Sequence, residues 1–337
     1  MKTAVNNLNY SNTISNNIKI LFGILTIAAV SFTSCSSNEN NAIPDPQSLD
    51  VPSAQDFANI RSQALSDITQ NFQFNADDGM IFLTSTKGVA ISIDANCLTK
   101  NGDPVSGMVD LEYVEVFEKG NMLTTNKTTM GIKPNGNKAL IITGGEFFLE
   151  ATQNGDVLDT GCAMQLEVPT ALTGGPDPDM ILWTGNIDSN GDLTWDPQDI
   201  NGHGVFVSGS NYSAFLQNFG WTNIDKFYLD PRPKTTIHAQ APAGYNYNNS
   251  AIYLAYANED FGLAILSEFE NGVFSEYYGE LPIGLDYHLI FTTEVDGEWR
   301  YAVKSATLAE DQIITFSIED TTITTTDELV SIVNALP

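Results

Sequence analysis

Hydrophobic and polar positions change their spacing several times along the chain, and each change marks an element. Residues 20–32 (ILFGILTIAAVSF) form an apolar run behind Lys19. It is shorter than the ~20 residues a membrane-spanning helix needs, and it has the length of a signal-peptide core. Residues 36–52 then turn polar and are punctuated by Pro44, Pro46 and Pro52. Such a stretch buries no core and reads as a flexible tether. A helical period follows. Phe57, Ile60, Ala64, Leu65, Ile68 and Phe72 recur on one face behind a Ser53 cap, which predicts a brace helix over 53–75.

From Met80 the period becomes two. Val89, Ile91 and Ile93 alternate with Ala90, Ser92 and Asp94, and Val109, Leu111 and Tyr113 alternate with Asp110 and Glu112. The phase then slips at Val114 and Val116, as a β-bulge would make it do. Seven turn dipeptides separate the strand-like runs: 78–79, 101–102, 135–136, 154–155, 190–191, 271–272 and 296–297, each Asn-Gly or Asp-Gly. These pairs accept the positive φ of tight hairpins and argue for antiparallel sheets over βαβ units. The expected fold is all-β, with two antiparallel sandwich-like modules. A Gly/Pro/Asp loop at 171–179 places the join, giving modules over 76–175 and 176–337. The S/T-x-x-E capping box Thr325–Glu328 predicts a short closing helix through Leu329, Ile332, Val333 and Leu336.

Charge narrows the partners. Lys and Arg number 14 against 42 Asp and Glu, a net charge of −28. Nucleic acid is excluded as a partner because phosphate binding needs clustered bases. Anionic headgroups would likewise repel this body, so a membrane attachment has to come from elsewhere.

The attachment is suggested at Phe32-Thr33-Ser34-Cys35, which resembles the lipobox of bacterial lipoproteins. The resemblance implies a signal peptide over 1–34, cleavage before Cys35, acylation of that residue, and a tether over 35–52. It places the protein in the cell envelope, anchored through acyl chains, with the outer membrane as the expected membrane. Two cysteines remain, Cys97 and Cys162. Both sit in strand-like runs, where they would form one disulfide in an oxidising compartment or serve as small buried hydrophobes.

Two further stretches carry a resemblance. Residues 86–98 (TKGVAISIDANCL), followed by 102–111 (GDPVSGMVDL), resemble a pattern of uncharacterised Bacteroidota-type envelope lipoproteins, and more distantly the ZU-type β-sandwich of ankyrins and netrin receptors. Asp94 stands where that pattern has proline and Cys97 where it has alanine. Residues 219–227 (FGWTNIDKF) resemble the G-W-x-N-x-D-(K/R)-F signature in the C-terminal half of the same lipoproteins. The resemblance implies a fold and a location, and it carries no assigned activity.

Candidate chemistry is sparse. Asp188, Asn190, Asp192 and Asp199 fall at positions 1, 3, 5 and 12 of a calcium loop, although position 6 is Leu193 rather than Gly and no helices flank it. Calcium is therefore a candidate cofactor of a calcium-stabilised adhesion module, with an acidic hairpin turn as the plainer explanation. Trp221, Asn223 and Asp225 fit either a tight structural corner or a site where Trp stacks on a sugar and Asn/Asp bond its hydroxyls. Tyr245 and Tyr247 lie in a Tyr/Asn/Gly loop of the adaptable binding type, the preferred ligand-facing element. A polysaccharide hydrolase would need two facing carboxylates, for which Glu112, Glu115, Glu146 and Glu150 are the strand-borne choices. His203, His238 and His288 are far apart, and no G-x-S-x-G elbow or zinc-ligand spacing occurs. The expectation is a lipid-anchored binding or scaffolding protein of the envelope, non-enzymatic, with a glycan, cell-wall material or a protein as partner.

Overall fold

The first helix, α1 (Ala54–Ile68), is capped as its sequence requires. The Ser53 hydroxyl accepts from the Asp56 N–H at 3.1 Å, and the Asp56 carboxylate accepts from the Ser53 N–H at 3.2 Å. Phe57, Ile60 and Ala64 form its buried face. The helix stops at Ile68, short of the expected 75. Residues 70–75 (QNFQFN) have a period of two, and they form a strand paired antiparallel with Met108–Val116. Phe72 belongs to that strand and not to the helix.

The computed structural model describes residues 51–188, 191–198 and 204–337, all within one compact unit. The apolar N-terminal run, Cys35, the tether up to residue 50, Asn190, Asp199 and His203 lie outside the described residues. No described helix is long and apolar enough to cross a membrane.

Two antiparallel sheets form the first sandwich. One orders Val205–Ser208, Asn211–Leu216, Met164–Pro169, Ala90–Asp94 and Met80–Thr84. The other runs from Gln70–Asn75 through Met108–Val116 to the 16-residue strand Lys138–Gln153. Between them Ile91, Ile93, Leu166, Leu111, Tyr113 and Phe147 make a continuous core. No bulge occurs at Val114–Val116, where the register with Lys138–Gln153 is regular. The phase slip has another cause: this strand is buried on both faces. Leu111 and Tyr113 enter the first core, whereas Val114 and Val116 enter a second.

Strand pairing continues beyond the first sandwich and closes on itself. Lys138–Gln153 pairs with Gly220–Phe227, which pairs with Ile181–Ile187, then Leu193–Pro197, then Met130–Ile132, and this last strand returns to Lys138–Gln153. The result is a closed five-strand barrel. The register shift absent at Val114 appears here, between Asn223 and Asp225. Because Met164–Pro169 pairs with Asn211–Leu216, and Lys138–Gln153 with Gly220–Phe227, the sheets run across the 171–179 loop. The change to new sheets falls after Phe227, before Lys234.

The second sandwich stacks a four-stranded sheet, which includes Lys234–Gln240 and Val273–Pro282, on a five-stranded one with Ser250–Tyr256, Asp286–Val295 and Glu298–Thr307. Ile237, Phe274, Ile252, Leu289 and Phe291 fill it, closed by Phe57 of α1 and by Leu329 and Val333 of the last helix. A second helix that sequence periodicity missed, α2 (Lys119–Thr125), contributes Met122 and Leu123. Its seven residues are too few to show a period. Gly120 is required there because a Cβ would stand 2.5 Å from the Val330 carbonyl. That carbonyl belongs to α3 (Thr326–Asn334), which the Thr325 hydroxyl caps through the Glu328 N–H at 3.3 Å.

Four of the turn dipeptides have both residues at positive φ: 101–102, 154–155, 271–272 and 296–297. Cys97 and Cys162 are disulfide-bonded, with Cα atoms 5.6 Å apart. Neither is in a strand; Cys97 ends a 3-10 turn and Cys162 sits in the bend before Met164. The bond spans 65 residues. Reduction, or the double Cys→Ser variant, is expected to lower unfolding free energy by about 2–4 kcal/mol. Denaturant midpoints with and without reductant check this, and coincident curves would refute it.

Candidate functional site

The FGWTNIDKF stretch lines the barrel. Along Gly220–Phe227 the alternate residues Trp221, Asn223, Asp225 and Phe227 share one face, and contacts place that face inward. Trp221 meets Trp195 with ring centroids 6.4 Å apart, and Trp183 meets Phe227 at 5.1 Å. The Trp183 indole N–H donates to the Asp225 carbonyl at 2.8 Å, and the Trp195 indole N–H to the Thr128 carbonyl at 2.9 Å. So small a barrel holds three tryptophans only because two facing positions are glycine. A Cβ on Gly185 would stand 2.5 Å from Trp221 Cβ, and one on Gly131 would stand 2.6 Å from Ile141. The motif is therefore an inner strand rather than a corner. Asn223 and Asp225 are fully buried, out of reach of a sugar.

The lumen also holds acids. Asn223 donates to Asp225 Oδ2 at 2.6 Å and accepts from the Thr143 hydroxyl at 2.9 Å. Asp225 Oδ1 and both oxygens of the buried Glu146 have no hydrogen-bond partner among the described residues. Burial pushes the Asp225 carboxyl well above its ordinary range. It does the same to Glu146, helped by the charge of Asp225 and opposed by Lys127. Lys127, with its ammonium 5.4 Å from the Trp221 ring, is pulled down by burial, and the charge of Glu146 offsets part of that.

At one end of the barrel, where the lumen residues Trp183 and Phe227 reach it, lies a cleft of about 800 Å³. The 173–181 loop, the end of Gly220–Phe227 and the 259–261 turn form it, and the volume suits a small ligand or a short polymer segment. Half-buried Phe227, Tyr228 and Phe261 supply aromatic surface, and Leu229 at the rim is 87% exposed. Lys226 pairs with Asp177 across one wall. Burial tends to raise Asp177, but the Lys226 ammonium and the Asp179 N–H outweigh it and hold the carboxyl below its usual value. Glu259, on the opposite loop, is raised by burial. No spacing in the sequence announced this site, although Lys226 belongs to the FGWTNIDKF motif.

A smaller pocket of about 250 Å³ brings together residues that sequence reasoning kept apart. Asp192 of the proposed calcium loop accepts from the Tyr247 hydroxyl and from Asn126 Nδ2 at 3.1 Å. Asp188 accepts from the Asp192 N–H at 3.1 Å, which is a turn-closing role. Each described acid of the calcium set thus accepts hydrogen bonds from the protein itself. Tyr247 faces this pocket, whereas Tyr245 is buried with its ring 5.4 Å from Phe291 and is a core residue.

The remaining candidates are dispersed. Glu112 and Glu150 are cross-strand partners on the sheet. Glu115 is buried and accepts from Ser85, Gln70, Thr86, Tyr113 and the Lys87 N–H. With Glu146 inside the barrel, these four do not converge on a cleft. His288 bonds Ser305 at 2.6 Å, on a different sheet from His238. Asp94 approaches Cys97 and Cys162, whose sulfurs are committed to each other.

The buried acids make stability depend on pH. Glu276, with one oxygen unpartnered among the described residues, is pushed up to about 8, chiefly by burial. A carboxyl raised in the folded state stabilises the fold fully below its unfolded pKa. That contribution is lost as pH climbs to the folded value. The chain is therefore expected to lose stability between about pH 4.5 and 8, by up to about 1.4 kcal/mol per pH unit for each such group. Glu276→Gln and Glu146→Gln should each raise the melting temperature at pH 8 and leave it unchanged or lower at pH 4. Melting curves across that range check it, and equal shifts at both pH values would refute it.

No protein-family model matches the chain, and no curated protein matches it either.

Proposed function

We propose that this is a lipid-anchored, non-enzymatic binding protein of the cell envelope, with the 800 Å³ cleft as its ligand seat. The cleft carries the reading: aromatic rings and the exposed Leu229 lie beside Lys226, Asp177, Asp179 and Glu259. Flat apolar rings among hydroxyl-bonding carboxylates suit a carbohydrate chain, whose faces are apolar and whose edges are polar. The anchor rests on the run from Lys19 to Cys35 and its likeness to the lipoprotein signal, as does placement at the outer membrane. A body of net charge −28 gains nothing from an anionic surface, so acyl chains have to hold it there.

A hydrolase is the second reading, favoured by one observation. Asp177 is held below and Glu259 above the ordinary carboxyl range in the same cleft, the divergence that an acid–base pair requires. Its ion pair with Lys226 makes Asp177 a poor nucleophile, which supports binding over catalysis.

Cys35→Ala should shift the protein from the membrane to the soluble fraction with its melting temperature unchanged; a variant still bound to membranes would end the anchor reading. On a glycan array, Leu229→Asp and Phe261→Ala should each weaken the retained glycan at least about tenfold without loss of fold. Release of reducing sugar that disappears in Glu259→Gln would replace binding with hydrolysis.

A further inference from the structure

The small pocket between α1 and the 245–250 loop is built from opposed charges that do not touch. Arg61 of α1 stands on one side, with its guanidinium 4.0 Å over the Phe57 ring. Asp192, from the turn of the barrel hairpin, stands on the other. Arg61 takes part in no ion pair among the described residues, and its Nε is buried without a hydrogen-bond partner.

A relay of hydrogen bonds fixes both groups. Arg61 Nη2 donates to the Tyr253 hydroxyl at 2.9 Å, which donates to Asn126 Oδ1 at 2.8 Å. Asn126 Nδ2 in turn donates to Asp192 at 3.1 Å, and the Tyr247 hydroxyl closes the chain on the same carboxylate. Arg61 and the anchored Asp192 thus both line an opening of about 250 Å³, and of the guanidinium nitrogens Nη2 is the one engaged by Tyr253. That volume lies below the usual range for drug-sized ligands, so only a small molecule fits.

We propose that this pocket binds a small zwitterion of the α-amino-acid class, its carboxylate on Arg61 and its ammonium toward Asp192. The planar fork of an arginine suits a carboxylate, and a second charge partner across the pocket distinguishes a zwitterion from a plain anion. The field of an acidic protein repels a free anion but leaves a net-neutral ligand unaffected.

Titration calorimetry and melting curves on the full chain, with glycine, L-alanine, acetate and methylamine as probes, test this. Glycine or alanine should bind saturably and raise the melting temperature, with acetate and methylamine at least about tenfold weaker. Arg61→Lys, which keeps the charge and loses the fork, should weaken alanine about tenfold, and Asp192→Asn should do the same. Both residues also hold the relay that ties the barrel hairpin to α1 and the second sandwich, so Ala58→Trp, which fills the pocket from an exposed position of α1, provides a variant that spares the relay. It should abolish binding while the unliganded melting curve stays unchanged. The proposal is overturned by no binding of any probe at millimolar concentration, by acetate binding as tightly as glycine, or by binding that survives Ala58→Trp.

Discussion

Closure of the five-strand barrel around Trp183, Trp195 and Trp221 is the constraint on which the rest depends. Trp183 and Trp195, fully buried, each remove roughly 150–250 Å² from water, equivalent to about 4–6 kcal/mol of transfer free energy, and the half-buried Trp221 removes less. That gain needs Gly131 and Gly185, because any side chain there would occupy space the rings use. The strand Lys138–Gln153 makes the closure possible. It is long enough to serve the first sandwich at one end and the barrel at the other. Its inner face gives Phe147 and Leu149 to the first core, and Leu140 at its start joins the second. One strand therefore couples three cores.

The same closure explains where charge is tolerated. Most of the 42 acids need water, yet Glu146 and Asp225 lie inside the barrel, with both oxygens of Glu146 and Oδ1 of Asp225 lacking a hydrogen-bond partner among the described residues. Burial there favours the neutral acid, since an ionised carboxylate bears the desolvation cost. Lys127 at the Trp221 ring softens that cost without removing it. Glu115 shows the contrasting solution: it is buried too, but five donors surround it. Two buried glutamates one strand apart are thus housed in opposite ways, one ringed by donors and the other left to burial and the charges of Asp225 and Lys127.

Local grammar was legible in the sequence and long-range closure was not. The Ser53 and Thr325 caps, the positive-φ hairpin turns and the two-residue period all act within a few positions, and the structure has them. The slip at Val114 was visible as well, but its cause was burial on both faces, which depends on neighbours far along the chain. Residues 69–75 followed the helix in sequence spacing and went to a strand because Met108–Val116 offered a paired edge. At the candidate sites the pattern repeats. Trp221, Asn223 and Asp225 stood out as a group, yet whether they faced water or a lumen depended on a ring of five strands. Arg61 carried no local signal, since a single arginine on a polar helix face is ordinary.

The small pocket draws its consequence from this architecture. Asp192 is positioned by the barrel hairpin, whereas Arg61, Tyr247 and Tyr253 belong to elements packed on the second core. Its walls therefore come from both sides of the seam, and Asn126, the left-handed cap of α2, is the link between them. A ligand that spans Arg61 and Asp192 would bind only when the seam is closed. By mass action it would then stabilise the joined form of the molecule over any form in which the two sides part. The 800 Å³ cleft also draws on both sides, since Trp183 and Phe227 come from the barrel while Glu259 and Phe261 come from the turn after Ser250–Tyr256. The cavities differ instead in size and lining: the larger offers aromatic surface for recognition of a chain, and the smaller offers two opposed charges for a ligand that stabilises the joined body.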